Sequence, residues 1–167
     1  METDQVLGMY MAGYDQDDNY IRDVNVSWSV QGDVGTISTG DTYSTSTIFT
    51  ATTIGTGTVQ ADTSTFSDQT GIITVSGGAL DHLVIRDEAN GGGSEVGDVT
   101  MTTDESLTLH AAGYDSYDNY LSDVDVTWSM IGDLDHVDGS GTSVEFSPTT
   151  SSTTGTIVVS SPGVTSD

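Results

Sequence analysis

The sequence predicts an all-β chain built as two tandem β-sandwiches, and three observations carry that expectation. First, the chain repeats itself: residues 12–30 read AGYDQDDNYIRDVNVSWSV and residues 112–130 read AGYDSYDNYLSDVDVTWSM. Second, the apolar residues on either side of the repeated acidic octapeptide alternate with polar ones at period two, the mark of a half-buried strand. Third, Thr, Ser, Gly and Val dominate, and no stretch combines a helical period with good helix formers.

The elements follow in order. Leu7, Met9 and Met11 alternate with Gly8 and Tyr10, and Leu107, Leu109 and Ala111 alternate with Thr108 and His110, giving one strand before each octapeptide. Val24, Val26, Trp28 and Val30 form the inward face of the strand after it, and Val124, Val126, Trp128 and Met130 repeat that face. A later strand is marked by Phe49 in one copy and Phe146 in the other, and a further one by Val59 with Ala61 and by Ile157 with Val159. The stretch TGIITVSGG at residues 70–78 reads as the last strand of copy one. LDHLVI at residues 80–85 reads as the first strand of copy two, with residues 96–102 as its second half. The expected units are residues 1–78 and 79–167, joined by the short linker SGGA.

The pattern A-x-Y-D-x-x-x-N-x-x-x-D-V-x-V-x-W-S, followed by a Gly-rich strand, resembles the bacterial immunoglobulin-like domains of invasin- and intimin-type adhesins and other prokaryotic surface proteins. It covers nearly the whole chain, twice. The resemblance implies two immunoglobulin-like β-sandwiches in which the W-S strand is strand C and the acidic turn joins strands B and C. In that frame copy one lacks a strand A and copy two lacks a strand G. Two explanations stand open: the chain is a piece of a longer array, or its edges are completed by a neighbouring chain. One departure is plain, since the family's Gly before the Asn is Asp18 in one copy and Asp118 in the other.

Charge narrows the function classes. There are 26 acidic residues against Arg22 and Arg86, for a formal net charge of -24, and there is no Lys. Such a surface repels nucleic acid and anionic membranes, which are bound through Lys and Arg. It also repels itself unless salt or cations screen it. That fits either a high-salt organism or a calcium-using cell-surface protein. The lack of Lys excludes Lys–Asn isopeptide cross-links, and the lack of Cys excludes disulfides and thiol chemistry. No apolar run is long enough to span a bilayer and no signal peptide opens the chain, so an exported protein would be represented by a mature or excised piece.

The candidate site is the acidic turn. Asp15, Asp17, Asp18, Asn19 and Asp23 cluster in copy one, and Asp115, Asp118, Asn119 and Asp123 in copy two. Carboxylate and amide oxygens at this density can ligate Ca2+, a hard cation that takes six to eight oxygens. The competing reading is a turn in which Asp and Asn cap their own backbone. DLDHVDG at residues 133–139 offers a weaker version of the same choice. The histidines, His82, His110 and His136, have no metal spacing, and Trp28 and Trp128 read as core pins. Asn25-Val26-Ser27 is a glycosylation sequon. With no nucleophile elbow, phosphate loop or placed Ser/His/Asp set, an enzyme is not expected.

The expected role is a structural spacer in an extracellular adhesin, surface-layer or filament protein, its partners being neighbouring immunoglobulin-like domains or subunits. A self-assembling subunit or virion decoration completed by strands of neighbouring chains is the first alternative. A glycan- or receptor-binding module is the second. A cell or virion surface is the expected location in each case.

Overall fold

The computed structural model describes residues 1–39, 43–137 and 139–164. Among these the chain is all-β, with sixteen strands and no helix. It divides into two compact units, Met1–Gly78 and Ala79–Asp167.

Unit 1 opens with β1 (Val6–Tyr10), β2 (Ala12–Tyr14) and β3 (Tyr20–Asp23). Then come β4 (Ser27–Gln31), β5 (Gly35–Ile37), β6 (Ser46–Ala51), β7 (Gly55–Asp62), β8 (Ser67–Gln69) and β9 (Ile73–Val75). One layer is the sheet β1-β6-β5 with the β2–β3 hairpin beside it; the other is β4-β7, with β8 and β9 both on the outer edge of β7. Alternate residues of both layers point inward and meet in one core of Val26, Trp28, Val34, Phe49, Ala51, Val59, Ala61 and Val75. This is the sandwich-like solution for sheets that each have one apolar face.

Unit 2 contains β10 (His82–Arg86), β11 (Leu107–Tyr114), β12 (Tyr120–Asp123) and β13 (Val126–Gly132). It ends with β14 (Gly139–Gly141), β15 (Ser143–Phe146) and β16 (Gly155–Ser160). Its layers are β10-β11-β12, with β15 also on β11, and β14-β13-β16. Their core holds Leu83, Ile85, Leu109, Ala111, Val126, Trp128, Val137, Phe146 and Val159. Both tryptophans are core pins with a satisfied indole: Trp28 Nε1–H donates to the Ser44 carbonyl (3.1 Å) and Trp128 Nε1–H to that of Gly141 (3.0 Å).

Three expectations need correction. Residues 96–102 are not a strand. The Val96 N–H donates to the Ile85 carbonyl, closing a loop whose Asp87 N–H donates to Ser94. Beyond it Val96 and Met101 pack on the core while Val99 is exposed, so Gly97 and Asp98, poor strand formers, interrupt any ladder. The strand expected over residues 70–78 is shorter, only Ile73–Val75 (β9), and it is preceded by a polar strand the alternation does not announce, β8, which also pairs with β7. Finally, the single strand β11 of unit 2 corresponds to two strands in unit 1, broken at Met11, whose N–H donates to Thr45.

The repeat can now be matched strand by strand. Trp28 pairs with Ala61 and Trp128 with Val159, so β4–β7 and β13–β16 share one register. Two edges differ. β10 lies along β11, whereas β2 pairs with β3 alone. β8 and β9 lie along β7, whereas β16 pairs, among the described residues, with β13 alone.

Candidate functional site

The acidic octapeptides form the tips of the β2–β3 and β11–β12 hairpins. Tyr14 pairs with Tyr20 and Tyr114 with Tyr120, each just after a register shift at Gly13 and Gly113. The glycines are required there: a Cβ on Gly13 would lie 2.8 Å from Val24 Cγ2, and one on Gly113 would lie 2.6 Å from Val124 Cγ2 and 2.7 Å from Leu80 Cδ1.

Each tip is organised by its first aspartate. The N–H groups of Asp17 and Asn19 both donate to Asp15 Oδ1, each at 2.9 Å, and the Asn19 amide donates to both carboxylate oxygens. In unit 2, Tyr117 and Asn119 N–H donate to Asp115 Oδ1 at 3.0 Å, and the Asn119 amide again spans both oxygens. Backbone bonds from Asp15 to Asn19 and from Asp18 to Asp15 close the loop, with the same pair in copy two. Asp18 and Asp118 stand at φ of 61° and 60°, the left-handed region in which Asp and Asn are the best tolerated residues after Gly. That is the backbone reason an aspartate can occupy the turn position of a glycine. Asp23 and Asp123 cap the base of the hairpin, each accepting the phenol of Tyr20 or Tyr120 at 3.0 Å.

Hydrogen bonding sets the acidities. The Asn19 N–H, then the Asn19 amide and the Asp17 N–H, hold the Asp15 carboxyl below the ordinary carboxylate range. The hydrogen bond to Asp23 pushes the Tyr20 phenol up. Burial first, and then the bond to Asp123, does the same to Tyr120.

The two tips share their bonds but not their surroundings. Asp15 is exposed, while Asp115 is only 1% exposed. In unit 2 the β10 segment and the loop after it press on the hairpin. Asp81 N–H donates to the Tyr114 carbonyl, Leu80 packs against Gly113, and Asn90 N–H donates to Asp123 Oδ2. His82 stacks on the Tyr114 ring at 5.6 Å and its Nε2 is 3.4 Å from Asp118 Oδ1. The Tyr14–Tyr20 edge contact of unit 1 reproduces the Tyr114–Tyr120 one, but there Tyr14 remains 59% exposed. Sequence reasoning missed the role of His82, because its partners are across a strand ladder and at a distant hairpin tip, where no spacing reveals them.

Of the residues the sequence offers to Ca2+, Asp15, Asn19, Asp115 and Asn119 build the turn and Asp23 and Asp123 bind phenols, while Asp118 lies beside His82 and Asp17 and Asp18 are exposed. Among the described residues no group of three or more His, Asp and Glu side chains is arranged to hold a metal ion. In the DLDHVDG stretch, Asp135 accepts the Thr149 and Thr150 N–H groups and the Thr150 hydroxyl, which holds its carboxyl below the usual range. Asp138 lies outside the described residues. The sequon residue Asn25 is exposed between β3 and β4. No protein-family model matches this chain, and no curated protein matches it.

Proposed function

We propose that the chain is a pair of immunoglobulin-like sandwiches serving as a non-catalytic structural spacer in an extracellular surface protein. The observation that carries this reading is the repeated construction itself: the same strand, acidic turn and strand are built twice, each on its own hydrophobic core. Asp15, Asn19, Asp23 and their counterparts hold the two turns together, which supports reading the acidic tips as turns. The net charge of -24 keeps such modules soluble and apart. The resemblance to adhesin repeats supports the location. The test is sedimentation across micromolar to millimolar concentration, joined to a glycan and cell-surface binding screen. A spacer stays a 17.4 kDa monomer and binds nothing in the screen. Saturable capture of a glycan would replace the spacer by a recognition module.

A further inference from the structure

Beside β16 the sandwich of unit 2 is open. A cleft of about 900 Å³ lies beside the first half of the strand, Gly155–Ile157, and reaches the core, lined by Ile85, Leu107, Leu109, Leu134, Phe146 and Ile157. Unit 1 shows what fills the matching place. There β9 runs antiparallel to β7, pairing Gly55–Val75, Thr56–Thr74 and Gly57–Ile73, and Val75 enters the core at 2% exposure. Through the tryptophan registers, Gly55, Thr56 and Gly57 correspond to Thr153, Thr154 and Gly155, which line the cleft. The local packing agrees. A Cβ on Gly57 would lie 2.4 Å from the Gln31 carbonyl oxygen and 2.6 Å from Val34. One on Gly155 would lie 2.4 Å from that of Ile131 and 2.9 Å from Leu134. Val34 is fully buried, whereas Leu134 is half-buried on the cleft wall.

We propose that the outer edge of β16 and this cleft accept an additional antiparallel strand, supplied by an uncharged, β-branched segment of the kind found at residues 70–78. Chemistry selects that occupant. The walls are apolar and hydroxyl-bearing, with Asp98 their one ionisable residue, and the whole chain is strongly anionic, so an acidic strand is repelled. TGIITVSGG carries no charge, alternates Ile and Val toward the core, and extends an existing sheet by main-chain hydrogen bonds. The inference rests on the internal repeat and not on the spacer role, so the two fail separately.

The experiment adds the synthetic peptide TGIITVSGG to the full-length chain carrying Trp28→Phe, so that Trp128, two strands from the new edge, reports on unit 2. Calorimetric titration is expected to give saturable one-to-one binding and a higher melting temperature for unit 2. Amide exchange is expected to slow over Thr153–Ile157, the residues that match Gly55–Val59. A peptide with Asp in place of the residue matching Val75 should bind about tenfold or more weaker, the loss expected when an apolar anchor becomes a charge. No binding at millimolar peptide overturns the proposal. Equal binding of the Asp-bearing peptide overturns it too, as does a dimer of the chain through β16 that the peptide does not dissolve.

Discussion

Replacing Asp115 by alanine isolates what the buried turn contributes. The side chain accepts the Tyr117 and Asn119 N–H groups and the Asn119 amide in a site that is 1% exposed. Losing a hydrogen bond to a charged acceptor costs about 1.5–3 kcal/mol, and an orphaned buried N–H about 1–3 kcal/mol. Removing the carboxylate also removes its own desolvation cost, so these figures do not sum. A loss of about 3 kcal/mol follows, and for a unit of this size about 5 °C per kcal/mol gives a drop of ~15 °C in melting temperature. Asp15→Ala breaks the same set of bonds in an exposed loop, where water replaces the lost acceptor, so its drop is clearly smaller. The assay is thermal unfolding followed by tryptophan fluorescence, with Trp28→Phe or Trp128→Phe isolating each unit. Asp115→Asn, which keeps one acceptor oxygen, should recover part of the loss. Equal shifts for Asp15→Ala and Asp115→Ala would refute the reasoning, because only burial distinguishes them.

Further outcomes follow from the same geometry. Gly113→Ala drives a methyl into Val124 and Leu80 and should cost about 2 kcal/mol by overpacking, seen as a lower midpoint in urea, while Gly13→Ala meets one side chain, Val24, and the Arg22 carbonyl oxygen, and costs less. Tyr20 and Tyr120 have folded pKa values above the ordinary 10.0, so the stability they lend is complete below pH 10 and is lost as pH rises through the higher folded values. Tyrosinate absorbance titration should show both phenols ionising late, and Tyr120→Phe should flatten the alkaline fall of unit 2. At one fixed ionic strength, low-millimolar CaCl2 should raise the melting temperature no more than MgCl2, whereas molar KCl, which shortens the screening length to about 3 Å, should raise it for both units. A Ca2+-specific rise that Asp15→Ala or Asp115→Ala removes would restore the calcium reading.

Much of the strand framework was legible because alternation and the paired tryptophans report burial directly. Trp28, Phe49, Val59 and their counterparts sit on inward faces, as their spacing requires. The short polar strand β8 was not legible, since Ser67, Asp68 and Gln69 are all exposed and carry no apolar signal. Residues 96–102 misled in the opposite sense: Val96 and Met101 are drawn to the core by a loop whose closing hydrogen bonds lie at Ile85 and Asp87. The acidic tips were legible as turns but not as two environments. Nearly identical octapeptides cannot tell that one is roofed by Leu80, His82 and Asn90, all far away in sequence.

That difference of roof has an evolutionary reading. Two copies of one segment begin as equals, and mutation strikes both alike. At Asp115 an exchange that removes the carboxylate strands donors at a buried site, so few substitutions there are tolerated. Around Asp15 water stands ready to replace what is lost, and substitutions there are cheap enough to persist. The first octapeptide is therefore the copy in which a new loop, and with it a new surface property, can arise without endangering the fold.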